Sequence, residues 1–369
     1  MQTYDVLVRG SGCVGRSLAL ALGAQGLRVA LLGSAEATPT QREDLRSYAL
    51  NAAAVRLLRD LKVWESLPPS AVSPVYDMKI HGDAPGSLLE FSAWSQGVSE
   101  LAFIVDAGAL EQQLAVALRF SPHVQLVDAP VPAALTALCE GRASAARSEL
   151  GVKFELNSYG QRGIAARLRC ERSHQGVARQ WFRSPDVLAL LPIASPEAGA
   201  SYGLVWSVPE ARADELLALD EASFEAALND ICGAEVGGLS LASARGAWPL
   251  ALARAEPVQG PGWVLLGDAA HLVHPLCSRT SARHLGHGRV DRRPAALVRQ
   301  RSGPRAPLAQ PGPEHLEFPF PPEALADGAG AWRLRPPQLL LHESDNNAEL
   351  EDPGGGESRR LPACAGHGQ

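Results

Sequence analysis

The stretch 4–32, "YDVLVRGSGCVGRSLALALGAQGLRVALL", decides the fold. "YDVLVRG" is a short apolar run that reads as a strand, and "RSLALALGAQG" reads as a helix. Val14, Leu18 and Leu22 recur at i, i+4 and stack on one face of it. Gly26 is a helix stop, and "LRVALL" is a second buried strand. Between strand and helix, Gly10-Ser11-Gly12-Cys13-Val14-Gly15 satisfies G-x-G-x-x-G. Gly10 would permit the tight turn, Gly12 would let a pyrophosphate approach the backbone, and Gly15 would let helix and strand pack closely. The helix N-terminus offers unpaired N–H groups to phosphates. This context points to dinucleotide binding, with a merely tight structural turn as the plainer alternative. An acid that reads the adenosine ribose is expected at the end of the second strand. Here "VALLGSAE" places Gly33 at that point, and Glu36 follows three residues late.

A second segment, "GWVLLGDAAHLVHPL" (262–276), ends a buried strand in Gly267-Asp268. A carboxylate at a strand's carboxyl edge can accept hydrogen bonds from sugar-alcohol hydroxyls, or it can simply cap the next helix. Paired with the N-terminal turn, it favours FAD over a nicotinamide, because FAD carries a ribityl chain. Between the two lies "LTALCEGRASAAR" (135–147), in which Glu140-Gly141, Ser144 and Arg147 fit apolar-x-[DE]-G-x-x-S-x-x-R. On its own, that pattern could be any strand followed by a turn.

The three motifs, in this order, resemble the single-component FAD-dependent aromatic hydroxylases, in particular the hydroxylases of ubiquinone biosynthesis. "DLRSYALN" (44–51), "LAFIVDAGALEQQL", "VARQWF", "DVLALLP", "VWSVP" and "RGAWPLAL" also look like segments of that family. The resemblance spans about residues 3–276 and implies NAD(P)H and O2 as co-substrates and a polyprenylated phenol as substrate. It implies that Gly10, Gly12 and Gly15 hold the ADP portion, that Arg46 lies beside the flavin, that Asp268 holds the ribityl chain, and that Gly267 and Pro275 also bind the cofactor. His271 and His274 become pocket-wall residues, and no side-chain base is assigned. This chain departs from the family pattern at Glu140, where Asp is usual, and at Gly108, where many members place an arginine facing the cofactor. After Leu276 the family's AGQGLNLG turn, whose helix N-terminus faces the flavin, is replaced by "CSRTSARHLGHGRVDRRP".

The expected fold is α/β, a Rossmann-like FAD-binding domain of the glutathione-reductase type with an inserted mixed β-sheet substrate lobe and a disordered C-terminal tail. FAD-binding parts are expected at 1–72, 101–150 and 261–276, and substrate-lobe parts at 73–100 and 151–260. The tail at 277–369 holds 12 of the chain's 28 prolines, and 12 arginines. Such a composition suits a disordered tail or a coding sequence read out of frame.

An apolar fraction of 46% over 369 residues supports a sizeable core, and a net charge of −6 gives no reason to expect nucleic acid. Six cysteines without CxxC spacing suggest neither a metal site nor disulfides, and a reducing cytoplasm suits them. Contact with the inner membrane face, or with other proteins of the pathway, enters only through the greasy substrate. Trp181, Phe182 and Trp206 could line an apolar site or pack in the core. Two further readings stay open: an inactive or unstable flavoprotein remnant, and a flavin-dependent dehydrogenase without oxygen insertion.

Overall fold

The computed structural model describes residues 4–33 and 44–273. Pro275, Glu36, His274 and the Arg- and Pro-rich tail lie outside them.

The first element is β1 (Tyr4–Arg9), followed by α1 (Cys13–Ala24) and β2 (Val29–Leu32). Much later in the chain come α2 (Ala107–Leu118), β3 (Val124–Val127), β4 (Ala133–Leu138), α3 (Ala145–Glu149) and β5 (Trp263–Leu265). These strands form one parallel sheet in the order β5-β4-β1-β2-β3, with an antiparallel edge piece at Gln259–Gly260. Parallel strands buried on both faces need near-continuous apolar runs, which is how "DVLV" and "VALL" read. In this sheet β1 and β5 come from opposite ends of the described chain, yet both flank β4.

Helix α1 buries a different face from the one its i, i+4 leucines suggest. Gly15, Arg16, Ala19, Leu20 and Gly23 are buried, Leu18 and Leu22 flank them, and Val14 is 46% exposed. Small residues decided this outcome: a Cβ at Gly15 would overlap the Gly10 carbonyl oxygen, and one at Gly23 would sit 2.9 Å from Val124 Cγ2. The helix therefore lies closer to the strands than a leucine stripe would allow.

A nine-stranded sheet carries the middle of the chain. Its longest strand, Lys153–Cys170, is continuous across Gly160 and Gly163. It pairs antiparallel with Ser201–Pro209 on one side and Gly246–Glu256 on the other. The parallel neighbour of Val177–Arg183 is Asp77–His81, so a segment from before α2 completes this sheet. Two helices, Glu210–Ala218 and Glu221–Cys232, cover one face. They are separate helices because Asp220 caps the second, its carboxylate accepting from the Ser223 N–H at 2.7 Å.

Period-2 alternation sends Tyr202, Leu204, Trp206 and Val208 to the helix-covered face. Trp181 and Trp206 pack there with Phe224 and Leu228 in a core that excludes water. Phe182 points to the opposite face and packs with Met78, Ile80, Ala93 and Val187. All three aromatics are core residues. A third, three-stranded sheet of Ser47–Leu50, Ala102–Asp106 and Val72–Val75 delivers Asp106 to the start of α2. There the Asp106 carboxylate accepts from the Ala109 N–H at 2.8 Å.

Candidate cofactor site

Three turns far apart in sequence meet at the carboxyl edge of the parallel sheet. The first is the glycine turn after β1. Gly10 has φ +108°, and a Cβ there would collide with the Cys139 carbonyl, so β1 and the turn after β4 touch backbone to backbone. Gly12, the residue before α1, has open space where a Cβ would lie. The first turn of α1 holds no acidic residue and no side-chain cap, which leaves its leading N–H groups for an anion.

The second turn, Glu140-Gly141, is held by its own motif. The Glu140 carboxylate accepts from the Ser144 hydroxyl at 2.7 Å, the Ala146 N–H at 3.0 Å and Arg9 Nε at 2.9 Å. Burial opposes its charge, but these donors prevail and hold the carboxyl below its ordinary range. Glutamate in place of aspartate thus leaves a carboxylate fully engaged by protein donors. Ser144 caps α3 by accepting from the Arg147 N–H at 3.2 Å.

Arg147 joins the second turn to the third. It is buried, lies over the Phe154 ring at 3.5 Å, and donates from Nη2 to the Arg142 carbonyl at 2.8 Å. Its Nη1 donates to the carbonyl of Ala269 at 3.0 Å, across 122 residues of sequence. The third turn, Gly267–Ala269, is a single tight helical turn after β5. A Cβ at Gly267 would lie 3.1 Å from Val14 Cγ2, so this turn also abuts the first turn of α1.

Asp268 is exposed, and among the described residues no protein group hydrogen-bonds its carboxylate; it does not act as the cap that the plainer reading offered. Desolvation by the surrounding protein raises its carboxyl above the ordinary value, opposed by His271 and Arg46. The field of Arg46 therefore reaches Asp268, and it reaches Cys13 on α1 as well.

Arg46 is held by a forked pair with Asp44, at 2.9 Å from Nε and 2.7 Å from Nη2, with Glu111 of α2 at 3.5 Å. The Asp44 hydrogen bonds lift its basicity further. Gly108 lies one helical turn before Glu111, and a Cβ there would sit 3.4 Å from Asp106 Oδ1 and 3.9 Å from Asp44 Cβ. Arg46 thus brings a cation to the helix turn that holds Gly108. Cys13 stands against Glu111, Arg46 and Tyr48; burial and Glu111 push its thiol up to about 12. His271 is exposed on a short strand paired with Ala253 and Arg254.

Gly10, Gly12, Gly15, Gly267 and Asp268 thus occupy one edge, with Arg46 electrostatically coupled to it. Sequence reasoning missed the roles of Arg147 as a strut and of Val14 as the contact with Gly267. The loose motif marks Arg147 but not its task, and no local signal marks Val14's; both tasks depend on partners more than 100 positions away.

No family model matches the chain. Among curated proteins it is 29% identical over 302 residues to the ubiquinone hydroxylase UbiL of Rhodospirillum rubrum, covering 74% of this chain and 68% of that one. It is 28% identical over 328 residues to the 3-demethoxyubiquinol 3-hydroxylase of Escherichia coli, covering 82% and 81%. Among solved structures, Pseudomonas aeruginosa PqsL in complex with 2-aminobenzoylacetate aligns with TM-score 0.62 at 19% identity, covering 74% of this chain and 81% of that one. Aklavinone-11 hydroxylase in complex with FAD and aklavinone aligns with TM-score 0.55 at 16% identity, covering 74% and 58%. The chain is a homologue of the ubiquinone hydroxylases, built on the fold shared by FAD-dependent monooxygenases.

Proposed function

We propose that this chain binds FAD at the meeting point of its three turns and acts as an NAD(P)H- and O2-dependent hydroxylase of a polyprenylated phenol in ubiquinone biosynthesis. The observation that carries the reading is the Arg147–Ala269 hydrogen bond at 3.0 Å together with the contact of Gly267 on Val14. Those two links bring a phosphate-accepting helix end and an uncommitted carboxylate to one edge. The relatives' names supply the substrate class.

The residues present fit the cofactor. Gly12 and the uncapped first turn of α1 would hold the pyrophosphate with backbone N–H groups. Asp268 would accept hydrogen bonds from the ribityl hydroxyls, and Gly267 lets the loop approach α1 closely enough for one molecule to touch both. Arg46, kept rigid by Asp44 and Glu111, would place a fixed positive charge beside the flavin. Bound FAD would supply reduction by NAD(P)H and activation of O2; the protein would supply orientation, water exclusion and electrostatics. Pro275, the remaining residue that the resemblance assigns to the cofactor, lies outside the described residues.

The test is to purify the full chain, record flavin absorbance, and follow NAD(P)H consumption beside incorporation of 18O from O2 into a prenylated phenol. Coupled incorporation supports the hydroxylase. NAD(P)H oxidation without 18O in the product favours a dehydrogenase. A colourless protein that takes up no FAD overturns the reading in favour of a flavoprotein remnant, the alternative raised by the replaced segment after Leu276.

A further inference from the structure

We propose that the Ser11 hydroxyl recognises the adenosine ribose of the cofactor, taking the place of the carboxylate that commonly ends the second strand of dinucleotide sites. This inference rests on the FAD reading above.

As this chain is packed, the end of β2 leaves no room for an acid. Gly33, directly after Leu32, has φ +141°, a backbone state that side chains avoid. A Cβ built there would also fall 2.5 Å from Ser11 Oγ and 2.7 Å from Ser11 Cβ. The space where a carboxylate would begin is therefore filled by the serine. The packing is enforced from the backbone, since the Gly10 N–H donates to the Leu32 carbonyl at 3.2 Å and ties the glycine turn to the end of β2. The Gly33 N–H in turn reaches the Val127 carbonyl at 3.4 Å, which holds the strand end in place.

Ser11 consequently sits where two requirements coincide. It belongs to the turn that receives the pyrophosphate, and it stands at the edge of β2 where the ribose of an ADP group lies. It is half-buried, so its hydroxyl is partly presented to solvent. A neutral hydroxyl offers a shorter reach and a weaker hydrogen bond than a carboxylate, which accepts charge-assisted bonds from both ribose hydroxyls. The chain should therefore discriminate the ribose, but only modestly.

The test is equilibrium FAD binding by the full chain, read by flavin fluorescence. The ligands are FAD and an FAD analogue whose adenosine lacks the 2′ and 3′ hydroxyls; the proteins are wild type, Ser11→Ala and Glu36→Gln. Wild type should prefer FAD by about 2- to 10-fold, the range of one net hydrogen bond. Ser11→Ala should lose that factor toward FAD, bind both ligands alike and melt without FAD at the wild-type temperature, while Glu36→Gln should keep the preference. Retained discrimination in Ser11→Ala, or its loss in Glu36→Gln alone, overturns the assignment while leaving the FAD reading intact. Equal weakening toward both ligands with a lowered melting temperature also overturns it, since that is a structural role. Failure of wild type to bind FAD at all overturns both.

Discussion

The glycine turn at 10–15 and the Gly267–Ala269 turn face each other across the candidate site, yet they are built by opposite means. The first is shaped by what is absent: a Cβ at Gly10 or Gly15 meets main-chain atoms, which cannot move aside. The second is shaped by what reaches it from elsewhere, namely Arg147 on the Ala269 carbonyl and Val14 against Gly267. A turn made by backbone contact tolerates no change, whereas a turn held by a distant side chain can be loosened by degrees. The contrast between fixed and tunable halves can be tested directly.

The largest effect is expected at the first turn. Gly15→Ala places a methyl on the Gly10 carbonyl oxygen and should destabilise the chain by about 4 kcal/mol or more, measured by urea denaturation. A variant of wild-type stability would show that α1 can shift outward and would remove the fixed half of the contrast. Next comes Arg147→Met, which keeps an apolar side chain there but removes the guanidinium that lies over Phe154 and strands the Ala269 and Arg142 carbonyls. A loss of about 2–4 kcal/mol is expected. FAD affinity should fall further than in Arg147→Lys, which keeps one donor and the charge but not the fork.

Asp268→Asn separates binding from folding. The carboxylate makes no protein hydrogen bond among the described residues, so stability should change by less than about 0.5 kcal/mol. FAD affinity should fall by about tenfold, the equivalent of about 1.4 kcal/mol. Equal losses in stability and affinity would mean that Asp268 holds the turn rather than the cofactor.

A smaller, pH-dependent effect belongs to the turn between strands Lys153–Cys170 and Val177–Arg183. His174 is buried; its Nδ1 accepts from the Gly176 N–H at 3.0 Å and its Nε2 faces the Ile193 carbonyl at 3.3 Å. Burial lowers its pKa, with nearby Arg179 adding to the effect and the Ile193 carbonyl opposing it. The neutral ring is therefore favoured in the folded chain, and its contribution to stability is complete above the ordinary value near 6.5. It is lost as pH falls through the lowered folded value. His174→Gln should flatten the acid limb of a stability–pH profile, and an unchanged limb would assign that limb to other groups. The smallest effect concerns Cys13, whose thiol at about 12 leaves about one thiolate in ten thousand at pH 8. Its alkylation by iodoacetamide, followed by mass spectrometry, should be much slower than that of a free thiol. Fast labelling would mean that the helix N-terminus, rather than burial and Glu111, governs this corner.

How legible the site was depended on the range of each contact. G-x-G-x-x-G and Gly-Asp-Ala-Ala were readable because each encodes a local backbone shape. Arg147 was visible only as the last residue of a loose motif; its task is defined by a carbonyl 122 residues on. Gly33 stood out as a missing acid, but the cause, Ser11 filling the space, arises only when β2 and the glycine turn are packed together. For Trp181 and Trp206, period-2 alternation told which residues share a face but not which face the helices would cover. The i, i+4 leucines of α1 misled for a related reason: close approach at Gly15 and Gly23 outweighed a leucine stripe.

The sequence by itself determined the strand–turn–helix start, the parallel-sheet character of its flanking runs, the inserted sheet, and the residue types at the two facing turns. These follow from local periodicity and from where glycine is required. Tertiary structure alone decided that the two turns meet, that the Asp268 carboxylate takes no protein hydrogen bond among the described residues, and that Ser11 packs against the end of β2. Such outcomes depend on packing between segments distant in the chain, where steric exclusion and a single buried guanidinium choose among arrangements that local pattern leaves equal.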